Sequence, residues 1–258
     1  MTTYDHKTTT NAAVQIPTWS KGTVLKVWAT AALPMGILAW VVTPLLAHAF
    51  SGPTAVSRAL ILSLTAGLIW QFFLVLIVVR REQGTLRWPV VKAALWLNTP
   101  ISTRTGKPSK KLWWMILPLM LLLALEERLP AIPSPMSRDA AAFFGSHTGQ
   151  TWMSGNWVWF TILIVQFVFN TALGEELFFR GLLLPRMGSY GRLDWLMNGV
   201  LFAGYHLHEP WVIPQTFLVD TFAEALPSRR WRSALIGIAV HSGQTIFFAV
   251  IALALVLK

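Results

Sequence analysis

Residues 58–79 read RALILSLTAGLIWQFFLVLIVV, and after the leading arginine the run carries no charged side chain. A helix of about 20 such residues crosses the roughly 30 Å of hydrocarbon in a bilayer. Arg80 and Arg81 follow at once and mark where the segment meets water. Working outward, apolar stretches recur at about 24–49, 112–125, 157–185, 194–208, 211–226 and 233–257. The stretches 112–125 and 194–208 are short, and 211–226 contains Asp220 and Glu224, so these three are read as tilted, interfacial or packed inside the bundle. The expected fold is all-α: a polytopic transmembrane helical bundle of about seven spans, between six and eight.

Composition points the same way. Of 258 residues 54% are hydrophobic and only 12% charged, against about 25% charged in a soluble domain. So few charges cannot build a water-facing surface, which excludes the soluble enzyme classes. The chain has no cysteine, so disulfides, cysteine-ligated zinc and thiol catalysis are excluded, and any nucleophile is oxygen or water. Residues 1–23 are polar and Thr-rich without an apolar core, and read as a cytoplasmic tail rather than a signal peptide. Residues 24–258 form the helical membrane domain.

The net charge of +10 is explained by topology. With the N-terminus cytoplasmic, 17 of the 21 Lys and Arg residues fall on inside segments, eight of them between Arg80 and Lys111, the asymmetry expected of positive-inside orientation. The lipid bilayer is therefore a partner and nucleic acid is not. Trp113, Trp114, Trp152, Trp157, Trp159, Trp195, Trp211 and Trp231 lie near proposed span ends, where indoles anchor at the headgroups. The segment 128–156 reads as an irregular outer loop with one amphipathic turn near Ala140–Phe144. Glu126 and Glu127 read as a solvated helix end at the outer interface. No internal repeat is visible.

Ionisable groups within membrane spans are costly and mark functional candidates. In NTALGEELFFRGLLLPRM (170–187) Glu175 and Glu176 are adjacent and point about 100° apart, whereas Glu176 and Arg180 share a face. Glu176 can pair with Arg180, leaving Glu175 as a potential general base; the plain alternative is an ion-paired helix end. Asn198, Phe202 and His206 recur every four residues and form one stripe. His206 and His208 diverge on a helix and could share an ion only if the helix breaks between them. His241 is the single ionisable residue of its apolar run, with Gln244 and Thr245 on its face; packing glue is the plain reading. At ~1.5 Å per residue, Glu175, His206 and His241 lie roughly 16, 21 and 14 Å from their nearest basic boundaries, so all three could meet at mid-membrane. Measured from Trp157, Glu175 instead lies roughly 27 Å along, a difference that a tilted helix or a cavity open to the cytosol reconciles.

Taken in order, Glu175-Glu176-x-x-x-Arg180, Phe202-x-x-x-His206 and His241 on a later span resemble the three motifs of the CPBP family, which comprises CAAX-processing proteases and bacteriocin-processing or immunity proteins and is also called Abi. The likeness covers about residues 157–250. It implies hydrolysis of a peptide bond in a membrane-associated or lipidated peptide by activated water, in a multi-pass protein of a bacterial cytoplasmic membrane. On this resemblance Glu175 activates water, His206 is the second-motif histidine, His241 helps stabilise the oxyanion, and Glu176 and Arg180 support them. Asn198, Phe202, Gln244 and Thr245 are the further supporting candidates. Two accounts of the cofactor stay open: none, or a divalent metal such as zinc held by Glu175, His206 and His241, in which case Glu176 becomes the base. One departure stands out. The family usually has Asn or Asp four residues after the third-motif histidine, where this chain has Thr245.

Two other classes use the same residues. A proton-coupled transporter could titrate Glu175, His206 and His241 in series; the lack of paired half-repeats argues against it. A non-catalytic immunity or assembly protein would keep the motifs for packing alone.

Overall fold

In the computed structural model, which describes residues 14–130 and 132–258 apart from the Glu127 side chain, 79% of the described residues are helical and none of them forms a strand. The tail expected over 1–23 lies outside the described residues up to position 13. Among the described residues, four helices are long and apolar enough to cross a membrane: α1 (Lys21–Ala47), α2 (Ala55–Gln83), α4 (Trp157–Arg186) and α7 (Ala234–Val256). They occupy four of the seven apolar stretches. The other three hold shorter rods: α3 (Ile116–Leu123), α5 (Asp194–Tyr205) and α6 (Ile213–Asp220), the last running on through a wide π-helical turn at Thr221–Ala225 into Leu226–Trp231. The segment 128–156, expected as an outer loop with a single turn, contains two short helices, Ala140–Gly145 and His147–Met153.

Local chemistry sets the ends. Ser20 caps α1 by accepting from the Thr23 amide at 3.2 Å. Gly84 closes α2 in the left-handed conformation (φ 69°), its amide donating to the Arg80 carbonyl. Pro34 interrupts the bonding of α1, and the helix widens to a π-helical turn at Leu38–Val42. Arg138, from the segment between α3 and α4, donates to the Ala39 carbonyl there at 3.0 Å, with its guanidinium over the Trp40 ring.

The bundle has two distinct ends. At one, Arg186 is fully buried and makes bonds of 2.6–3.1 Å to the Glu82 carboxylate, to which Trp19 also donates. The start of α7 is pinned there by Ser233 Oγ on the Asn98 carbonyl and by the Ala234 amide on the Trp96 carbonyl. At the other end the Gly155 amide bonds the last turn of α7 and Ser57 bonds the Ser137 carbonyl. Residues 14–20, the described part of the tail, pack against the first end, where Thr18 meets Gly188. Trp28 and Trp40 of α1 donate to the carbonyls of Leu201 and Leu207, so α1 and α5 run the same way. Large exposed apolar side chains such as Leu33, Phe73, Leu121, Val158 and Phe247 form the outer surface, as lipid-facing positions require.

Candidate active site

α4 is not a uniform helix. Residues Phe169–Gly174 and Leu177–Leu183 are π-helical, with Glu175 and Glu176 at the join. Each wide turn shifts the register of side chains, and such turns gather at functional sites. The two carboxylates diverge accordingly. Glu176 turns toward α7, and Glu175 turns toward α5, where its neighbour is Tyr205, itself next to Gln71 of α2.

Glu176 Oε1 lies 3.4 Å from His241 Nδ1 and 3.4 Å from Arg180 Nη1. The opposite side of the same cluster is Glu224, from the wide turn after α6: its Oε2 is 2.5 Å from Arg180 Nη2 and its Oε1 is 3.7 Å from His241 Nδ1. All four side chains are buried. Two carboxylates, a guanidinium and an imidazole thus share one apolar setting, where unpaired charge would be very costly. A glycine makes the approach possible: a Cβ on Gly237, one turn before His241, would stand 2.3 Å from Glu176 Oε2.

The second motif packs on this cluster through an aromatic plate. Phe202 lies 4.9 Å from Phe179 and 4.9 Å from His206 between ring centroids, and 6.4 Å from His241. The Arg180 guanidinium sits 4.0 Å above its ring, a cation–π contact. Asn198 donates to the Phe179 carbonyl at 2.9 Å, satisfying a group in the irregular part of α4. His206 Nδ1–H donates to the Phe202 carbonyl at 2.9 Å, so its neutral ring keeps Nε2 as an acceptor. α5 does end at Tyr205, and the His206 and His208 rings stack with centroids 5.3 Å apart; His208 is buried.

The expected residues therefore fall into two groups. Glu176, Arg180 and His241 touch directly, with Phe202 joining His206 to them. Glu175 stands on the other side of α4. Thr245 donates to the His241 carbonyl of its own helix at 3.3 Å, and Gln244 donates to Glu126 at 3.4 Å. Glu126 thus leans on α7 rather than standing only in solvent. Among the described residues, the set whose ligand atoms lie within 4.8 Å of one another is Glu176, Glu224 and His241, not the Glu175, His206 and His241 set expected to hold a metal. Arg180 lies against both of those carboxylates and supplies positive charge where a cation would sit.

Glu224 was missed as a site residue, although the sequence carried its signal. Asp220 and Glu224 are acids four apart in an apolar run, the same kind of evidence that singled out Glu175 and His241. Gln71 and Tyr205 gave no comparable signal, since buried amides and phenols are ordinary in helical bundles.

Residues 156–247 match the family model described as Type II CAAX prenyl endopeptidase Rce1-like. No curated protein and no solved structure matches the chain at a significant level. Glu175, Glu176, Arg180, His206, Glu224 and His241 all lie within the matched segment, whereas Gln71 lies outside it. Over residues 156–247 the chain carries an Rce1-like type II CAAX prenyl endopeptidase domain, consistent with a CPBP family intramembrane protease.

Proposed function

We propose that the protein is an intramembrane endopeptidase that cleaves a prenylated or otherwise membrane-associated peptide at a C-a-a-X-type end, with Glu175 as the base. The observation that carries the reading is the 3.4 Å contact between His241 Nδ1 and Glu176 Oε1, which joins the third motif to the first at the residue next to Glu175 in the chain. Glu175 removes a proton from water, and the hydroxide forms a bond to the scissile carbonyl carbon. His206, with Nε2 free to accept, orients that water. The oxyanion is stabilised from the side of His241, in an environment whose low dielectric strengthens such contacts. Collapse breaks the C–N bond, and the proton held by Glu175 passes to the leaving amine.

Arg180, Glu176 and Glu224 hold His241 in place and balance its surroundings. Arg180 already pairs with both carboxylates nearest His241 and offsets part of their charge, which favours glutamate-dependent hydrolysis without a resident metal. Were a divalent ion such as zinc bound, Glu176, Glu224 and His241 are the donors that would hold it, and it would polarise the scissile carbonyl. The cytoplasmic end of the bundle is the one bearing Glu82 and Arg186, on the strength of the basic residues gathered in 80–111.

The test is cleavage of a prenylated C-a-a-X peptide by purified protein in liposomes, with products identified by mass spectrometry. Release of the three C-terminal residues, insensitive to chelators, is expected. Chelator-sensitive cleavage would move the reading to a metalloenzyme, and proton-coupled flux without cleavage would replace it with a transporter.

A further inference from the structure

Gln71 sits midway along α2, fully buried, and neither its amide nitrogen nor its amide oxygen has a hydrogen-bond partner. An amide left unsatisfied in an apolar interior costs folding free energy that leucine or methionine at the same place would not. Packing alone therefore gives no reason for glutamine here. Its surroundings do. At Gly174 a Cβ would stand 3.2 Å from the Leu68 carbonyl and 3.4 Å from Gln71 Oε1, so the absent side chain lets α4 close on α2. Glu175 is the next residue.

Tyr205 completes the arrangement. It is the last residue of α5 and is buried, with Phe179, His206 and His208 around its ring at centroid distances of 5.5, 5.4 and 5.1 Å. Three aromatic neighbours fix the direction of its hydroxyl, which faces Glu175 and Gln71. The contacts are looser than closed hydrogen bonds: Glu175 Oε2, Tyr205 Oη and both polar atoms of Gln71 have no other partner. Four such atoms from three helices meet at one place beside the candidate base.

We propose that Gln71 and Tyr205 are positioning residues for Glu175: the Tyr205 hydroxyl donates to the carboxylate, the Gln71 amide donates to the Tyr205 oxygen, and together they set which carboxylate oxygen faces the water. The inference rests on Glu175 acting as the base. It extends the active centre to α2, outside the matched segment.

The test uses the full chain in liposomes with a prenylated C-a-a-X peptide, measuring kcat, KM and thermal midpoint for Gln71→Leu, Gln71→Met, Tyr205→Phe and the Gln71→Leu/Tyr205→Phe double variant. Each single change is expected to lower kcat about 10- to 100-fold, with KM within about twofold and a thermal midpoint equal to or above that of the parent. The double variant should be little worse than the poorer single one, because the two act as a unit. Turnover near the parent's in folded single variants overturns the proposal, and so does failure of all three single variants to fold, which would make the pair structural. Glu175→Gln in the same assay separates the two claims. If it is inactive while the Gln71 and Tyr205 variants turn over normally, only the positioning role falls; if it still cleaves, or if the parent cleaves nothing, the base assignment falls with it.

Discussion

Arg180 Nη2 stands 2.5 Å from Glu224 Oε2 with both side chains wholly buried, which ties the first-motif helix to a helix that bears no motif. Glu224→Gln keeps the shape and removes the charge. Removing one partner of a buried pair typically costs about 3–5 kcal/mol. The variant is expected to show a lower unfolding midpoint in detergent and reduced cleavage, and an unchanged midpoint would mean that Arg180 finds enough compensation in Glu176.

Gly237→Ala tests the closeness of α4 and α7. The new methyl would meet Glu176 Oε2, Ser228 Oγ at 3.1 Å and Arg180 Cγ at 3.2 Å. Overpacking of this kind costs about 1–3 kcal/mol, and here it displaces the carboxylate from His241. Activity should fall further than stability. A variant as active as the parent would show that the Glu176–His241 contact is dispensable.

The pair of Arg186 and Glu82 has no part in the proposed chemistry, so its loss should act on stability alone. Arg186→Met leaves the half-buried Glu82 carboxylate with only Trp19 of its present donors. Arg186→Met combined with Glu82→Leu should recover much of the lost stability, because an apolar pair of similar volume often replaces a buried ion pair without loss. Additive effects in the double-mutant cycle would contradict the pairing.

Glu209 lies in the turn after α5, outside the long membrane helices, and burial, helped by the Asp139 charge, pushes its carboxyl up to about 7 from an ordinary 4.5. Between these two values the unfolded chain has already lost the proton that the folded chain keeps. Glu209 therefore lowers stability as pH rises through that window, and the penalty is complete above about 7. Glu209→Gln should leave the unfolding midpoint almost unchanged near pH 4 and raise it near pH 8. Equal differences at both pH values would count against the shift.

Much of this architecture was legible in the sequence because bilayer thickness dictates helix length: the runs at 58–79 and 233–257 could hardly be anything else. The stripe of Asn198 and Phe202 was legible because α5 keeps a regular period, and His206 follows at the first residue past its end. α4 was harder. Its two wide turns carry extra residues that a 3.6-residue repeat does not register, so the opposite settings of Glu175 and Glu176 followed only in outline from their adjacency. Glu224 and Gln71 depend on which helices meet, and that depends on close approaches at Gly237 and Gly174 that no local pattern reveals. The stretch 112–125 breaks into a 3-10 turn at Lys110–Met115 and the two-turn helix α3, shorter than its hydropathy suggests.

The role of Glu175 is tested most directly by single-turnover cleavage of a prenylated C-a-a-X peptide by the parent and by Glu175→Gln, at equal concentrations of folded protein in liposomes. Loss of the chemical step by at least about 100-fold, with peptide binding retained, is the predicted result. Cleavage by Glu175→Gln at the parent's rate would contradict the assignment of Glu175 as the base.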